Sequence, residues 1–282
     1  MPIHVLLPTD FSQNALNAIN YAVQLYKDQP CDFYLLNVFG ISGYSLDKMM
    51  VPEPGELAYE AAKEKSEEGL HKLQQHFQRA SENIAHTFHI ISIFNSLLEG
   101  VKQAIDKKDL DIVVMGTKGK SGAARALFGS NTVEVMEKTT LCPVIAVPEK
   151  VKFIAPKEIV FPTEFKTSFK RRELQYLLDI VKLHSTVVQV LHIGSESGLN
   201  KTQLENKNLL STIFKEVEHA FCFEEGDKIP AGIISFMTRR GSNMLAFVNR
   251  KHGFLETIFT KPLIKEVSYS SDVPILALHD MD

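Results

Sequence analysis

Short runs of consecutive apolar residues alternate along this chain with longer stretches in which apolar residues return every three or four positions. The runs at 3–7, 33–38, 85–93, 111–115 and 144–147 read as strands. Between them, Ala15, Ala18, Ile19, Ala22 and Tyr26 fall on one helical face behind Ser12, a capping residue. Residues 56–79 read as a long charged amphipathic helix. Ser96 and Glu99 form a capping box ahead of Leu97, Leu98, Val101 and Ile105, and residues 130–138 read as a short helix. Strands of unbroken apolar character separated by helices predict a parallel sheet covered on both faces.

The pattern then starts again. Val5-Leu6-Leu7-Pro8-Thr9-Asp10-Phe11 is echoed by Ile159-Val160-Phe161-Pro162-Thr163-Glu164-Phe165, and Cys142-Pro143-Val144-Ile145-Ala146-Val147 by Val273-Pro274-Ile275-Leu276-Ala277-Leu278. The same two markers in the same order bracket each half, so the chain reads as two copies of one domain, 1–150 and 151–282. Strands of the second copy fall near 158–161, 187–192, 219–224, 244–248 and 274–278. That copy is shorter, mostly in the loop after its second strand and in the helix that follows. The expected fold class is α/β: two tandem doubly wound domains, each a five-stranded, mainly parallel sheet with helices on both faces.

Composition narrows the function. The 282 residues carry 31 Lys+Arg and 34 Asp+Glu, a formal charge of −3, which is not the basic footprint of a general nucleic-acid binder. The first 150 residues are net −4 and the rest net +1. No apolar run reaches the roughly 18 residues of a membrane span. Three scattered cysteines, Cys31, Cys142 and Cys222, form no pair motif and fit a reducing compartment. The expected location is cytoplasmic, without a membrane or nucleic-acid partner.

In a doubly wound sheet, ligands bind beyond the carboxyl ends of the strands where the strand order reverses. After the fourth strand comes Gly116-Thr117-Lys118-Gly119-Lys120-Ser121-Gly122, and then Gly129-Ser130-Asn131-Thr132 opens a helix. Glycines let the backbone approach an anion, and a helix N-terminus offers unpaired N–H groups to it. On spacing alone, phosphate binding and an empty strand-to-helix turn are equally supported. The segment is not a Walker A loop, whose first glycine would stand at Val114, and no GxGxxG fingerprint is present. His86 and His89, three apart on a strand, should point to opposite faces and do not form a metal pair. Cys142, just before Pro143, reads as packing.

Gly116, two residues, Gly119, nine residues and Gly129-Ser130 give G-x2-G-x9-G-S/T, which resembles the ATP-binding signature of the universal stress protein family. The resemblance extends to Pro8-Thr9-Asp10-Phe11-Ser12 and to the closing Cys142–Val147 segment, and the chain resembles the tandem form of the family. It implies an adenine nucleotide alpha hydrolase-like fold and a cofactor, ATP, with or without Mg2+. By matching position, Pro8, Thr9 and Asp10 lie beside the ribose or adenine. Val38 holds the adenine edge through its backbone, next to Met115. Gly116 and Gly119 let the loop pass the phosphates, Lys118 either adds charge there or stays solvated, and Gly129, Ser130, Asn131 and Thr132 supply N–H groups and hydroxyls to them. No residue is implied as catalytic.

The second copy departs from this signature. Val248-Asn249-Arg250-Lys251-His252-Gly253 replaces the glycine loop, Thr260-Lys261 replaces Gly-Ser, and Glu164 replaces the aspartate with a longer acid that should intrude on the pocket. Its site reads as degenerate. Lys166, Lys170, Arg171, Arg172, Arg239, Arg240, Arg250 and Lys251 gather in this copy, either as a solvated face or as a surface for an acidic partner. The resemblance implies a nucleotide-binding regulatory protein of the stress response with an unidentified protein partner. The alternatives are a slow ATPase and an interaction module without nucleotide. It also implies a pseudo-dimer within the chain through the last strand of each copy, with further homodimerisation open.

Overall fold

The computed structural model describes residues 1–40, 54–117, 129–140, 142–226, 228–250 and 273–279. Lys118, Gly119, Lys251 and Lys261 lie outside them, as do Lys120 and Arg125. The chain divides into two compact units, the first ending at Phe153 and the second resuming at Ile154.

The first unit runs β1 (Ile3–Pro8), α1 (Gln13–Leu25), β2 (Cys31–Phe39), α2 (Leu57–Ala80), β3 (His86–Phe94), α3 (Leu97–Lys108), β4 (Ile112–Gly116), α4 (Ser130–Lys138) and β5 (Val144–Val147). The strands lie in the order β3-β2-β1-β4-β5, every pairing parallel. Right-handed crossovers put α1 and α2 on one face and α3 and α4, which touch each other, on the opposite face. The central strands are buried on both sides: Val5, Leu6 and Leu7 are fully buried, as are Val113 and Val114. That is why they read as unbroken apolar runs rather than as alternation.

Local chemistry fixes the element ends. Ser12 Oγ accepts from Ala15 N at 3.2 Å and starts α1; Ser96 Oγ accepts from Glu99 N and starts α3. Between β1 and α1 the chain turns sharply. Thr9 Oγ1 accepts from Phe11 N at 3.0 Å, and Phe11 takes φ 61°, a left-handed conformation that is costly for a bulky residue. Its ring fits against Gly69 of α2, where a Cβ would stand 2.6 Å from the ring tip.

His86 and His89 do point to opposite faces. His86 is buried, its ring held by Ser81 Oγ and by the carbonyls of Tyr26 and Gln29. His89 meets Asp32 at 2.9 Å. Burial acts to raise the Asp32 carboxyl pKa, but hydrogen bonds with Thr87 and His89 outweigh it and the net shift is downward. Edge strand β3 is covered along its first half by α2: Gln78 Nε2 donates to His86 O at 3.2 Å and Gln74 Nε2 to Phe88 O at 2.6 Å. Covering an edge in this way removes sites for stray strand pairing.

The second unit repeats the plan in β6 (Glu158–Pro162), α5 (Gln175–His184), β7 (Val187–Ile193), α6 (Lys201–Phe214), β8 (His219–Glu224), α7 (Ile229–Arg240), β9 (Met244–Asn249) and β10 (Ile275–His279), in the order β10-β9-β6-β7-β8, again parallel. Its α6 has 14 residues against 24 in α2. The repeat reaches individual atoms. Thr163 Oγ1 accepts from Phe165 N at 3.0 Å and Phe165 takes φ 55°, matching the Thr9–Phe11 turn. A Cβ at Gly232 would stand 2.7 Å from Ile193 of β7, as one at Gly100 would stand 2.6 Å from Val38 of β2.

Candidate functional site

Strands β1 and β4 are neighbours at the point where the winding of the first unit reverses. A cavity of about 260 Å3 opens there, beyond the carboxyl ends of the strands, lined by Pro8, Thr9, Asp10, Ala15, Val38, Asn95, Leu97, Met115, Gly116, Asn131 and Thr132. Eight of these are residues that sequence reasoning singles out: Pro8, Thr9, Asp10, Val38, Met115, Gly116, Asn131 and Thr132. Gly129 and Ser130 stand at the start of α4 beside them. Ala15, Asn95 and Leu97 line the cavity without having been expected. Asn95 and Leu97 follow β3 as Asp10 follows β1, so the rule that ligands sit past strand ends could have found them.

Each wall has a local cause. Thr9 is held by the left-handed turn, and Asn37 Nδ2 donates to Thr9 O at 2.7 Å, tying β2 to the same corner. Asp10 Oδ1 accepts from Ser12 N at 3.0 Å, which fixes the carboxylate near the mouth. Val38 is seated on Gly100, where any side chain would push it inward. Gly116 faces Asn14 of α1, and a Cβ on it would meet the Asn14 amide at 2.8–3.0 Å. A side chain at 116 would displace the Asn14 amide.

Helix α4 is anchored by Thr132, whose buried hydroxyl donates to Gly116 O at 3.0 Å and lies 3.2 Å from Thr117 O. Gly129 N donates to Thr117 O at 2.6 Å. Among the described residues the N–H groups of Ser130 and Asn131 have no partner, as the first turn of any helix leaves them. They form an anion-seeking end beside the cavity. Among the described residues, no three His, Cys, Asp or Glu side chains gather into a metal-binding group. Burial pushes the Cys31 thiol up to about 12 and raises that of Cys142, so neither is a nucleophile at neutral pH.

In the second unit larger side chains stand at the matching positions. Sequence register sets Phe169 against Ala15 and Val248 against Gly116. Arg250, just after β9, lays its guanidinium 4.8 Å from the Phe169 ring centre. Its Nη2 donates to Ser168 O at 2.7 Å and to Glu173 Oε2 at 2.9 Å. Glu164 does not intrude as expected. Its carboxylate turns outward to Lys166 at 2.7 Å, because a short ion pair in solvent costs less than a buried charge. The basic residues of this unit are largely neutralised: Arg171 pairs with Glu216, Arg239 with Glu224 and Arg240 with Glu158. That favours the solvated face over a surface awaiting an acidic partner.

A doubly wound parallel sheet with a cleft at its switch point and a helix N-terminus at the cleft's edge defines a domain of the α/β class. The model of the universal stress protein family matches residues 1–148. A universal stress protein of Methanocaldococcus jannaschii is 30% identical over 155 residues, covering 52% of this chain and 83% of that protein. The chain belongs to the universal stress protein family. Its fold is similar to that of a universal stress protein from Archaeoglobus fulgidus, at TM-score 0.71 and 19% identity, with 99% of this chain and 97% of that one covered. It is also similar to a putative universal stress protein from Pseudomonas aeruginosa, at TM-score 0.60 and 12% identity, covering 98% and 92%. No described helix is long and apolar enough to cross a membrane.

Proposed function

We propose that the first unit binds an adenine nucleotide, ATP with or without Mg2+, and that the protein is a nucleotide-responsive regulator of the stress response rather than an enzyme. The observation that carries this reading is the convergence of Asp10, Val38, Gly116 and the α4 N-terminus on one cavity at the switch point. At about 260 Å3 it is near the lower end of ligand cavities, roughly 300 Å3. It therefore suits the nucleoside part of a ligand whose phosphates extend along the mouth, over the N–H groups of Ser130 and Asn131. Gly119 completes the signature in sequence and is assigned to the phosphates by the family resemblance, and Lys118 beside it is a candidate to add charge there.

Regulation requires that ATP bind one state of the protein better than another, so that occupancy shifts a conformational or partner equilibrium. Turnover is the weaker reading. The sequence offers no evident arginine finger for phosphoryl transfer, Arg125 being the one arginine near the glycine loop.

Calorimetric titration with ATP should show one site per chain, and absence of binding would overturn the proposal. Gly116→Val copies the second unit's Val248 and drives a branched side chain into Asn14 and the cavity. It should weaken ATP by at least about 100-fold, or about 2.7 kcal/mol. Circular dichroism should report an intact fold. Undiminished affinity in this variant would move the site elsewhere.

A further inference from the structure

β3 is the edge strand of the first unit's sheet, so alternate backbone groups face away from it. The bond from Cys31 N to Ala85 O, with the β2 register, assigns residues 85, 87, 89, 91 and 93 to the inner ladder. His86, Phe88, Ile90 and Ser92 then present their backbone groups to the outer rim. The rim carbonyls of His86 and Phe88 are capped by Gln78 and Gln74. The glutamine cover from α2 ends with these two. Among the described residues the rim N–H and C=O groups of Ile90 and Ser92 have no hydrogen-bond partner.

This open half of the edge borders a groove of about 530 Å3, separate from the candidate nucleotide cavity. Ile91, Ser92, Ile93 and Phe94 form its floor. Tyr59 of α2, its ring centre 5.6 Å from that of Phe94, stands on one side. Lys107 and Lys108 of α3 stand on the other, and neither makes an ion pair among the described residues. An apolar floor, unused strand hydrogen bonds and two unneutralised cations thus meet in one place, within a half of the chain whose net charge is −4.

We propose that this groove takes an extended peptide segment of alternating acidic and apolar residues as an added strand beside β3. Strand addition supplies partners for the Ile90 and Ser92 backbone groups. Side chains of an added strand alternate between the sheet's faces. On the α2 face they meet Tyr59 and Phe94, which suits apolar residues. On the α3 face they meet Lys107 and Lys108, which suits carboxylates. The occupant is a peptide rather than a small amphiphile because backbone groups, not only side chains, await it.

A labelled six-residue peptide of alternating glutamate and valine, titrated into the full chain by fluorescence anisotropy, tests this. Binding should saturate and should weaken by about tenfold or more in Lys107→Glu/Lys108→Glu. Hydrogen exchange of the Ile90 and Ser92 amides should slow in the complex. Ser92→Pro removes one outward N–H, a change that edge strands tolerate, and should weaken binding comparably. The surface charge variant keeps the test sharp should the proline variant fail to fold. Three results would overturn the proposal: no saturable binding, equal binding of a lysine–valine peptide, or binding that leaves both amides unprotected, as a side-chain-only ligand would.

Discussion

Arg250→Ala should destabilise the second unit by about 3–5 kcal/mol, the range for removing one partner of a buried ion pair. The Glu173 side chain is 1% exposed and lies 2.9 Å from Arg250 Nη2. Its Oε2 also accepts from Lys170 N at 3.1 Å, a single backbone donor that cannot compensate a full buried charge. The alanine variant additionally loses the stacking of guanidinium on Phe169. Urea unfolding followed by circular dichroism, with hydrogen exchange to localise the loss, measures both. A loss below about 1 kcal/mol, the size of a surface pair, would show that solvent reaches Glu173 freely. Replacing both partners, as Arg250→Met with Glu173→Leu, should recover most of the stability, since a buried pair is worth little more than apolar side chains of like volume. A double variant as weak as Arg250→Ala would assign the cost to packing on Phe169 instead.

The second large effect concerns pH. His279 ends β10 with 4% of its surface exposed, and burial lowers its pKa from 6.5 to about 4. Its Nε2 has no hydrogen-bond partner among the described residues. The folded protein therefore keeps this imidazole neutral where the unfolded chain protonates it. Between pH 6.5 and 4 the unfolded state binds more protons, so stability is fully present above 6.5 and falls as pH drops toward 4, by about 3 kcal/mol in all. His279→Leu should flatten this part of the stability profile. The measurement is the difference between wild type and variant at several pH values, which cancels carboxylates common to both. A difference that does not change with pH would mean that His279 finds a proton-accepting partner in the fold.

Most of the fold was legible because its strongest determinant, continuous burial of parallel strands, leaves an unbroken apolar run at each one. The Val5-Leu6-Leu7 run and its echo at Ile159-Val160-Phe161 also exposed the repeat, since both lie at the buried centre of a sheet. Boundaries moved by a residue or two: β4 includes Gly116, and β7 extends to Ile193. The cavity was legible where glycine and capping chemistry leave fixed residue types, at Gly116 and at Thr132. It was not legible at Ala15, which differs in no way from an ordinary core residue. The outward turn of Glu164 was hidden too, because side-chain direction there depends on Lys166, a neighbour that composition marks only as charged. The contact of Arg250 with Phe169 and Glu173 joins residues some 80 positions apart, and no local pattern announces it.

The glutamine cover on β3 rests on a near-coincidence of two periods. Four residues of α-helix rise about 6.0 Å, while two residues of strand advance about 6.6 Å. A helix lying antiparallel to an edge strand can therefore set every fourth side chain against every second carbonyl, as Gln78 and Gln74 do for His86 and Phe88. The next two steps fall at Leu70, opposite Ile90, and at Ser66, opposite Ser92. Leu70 is fully buried in the core, and Ser66 Oγ reaches only Ser92 Oγ, at 2.8 Å. One helix stripe is thus asked to protect an edge and to build a core, and where the core prevails the stripe gives the edge no cover among the described residues.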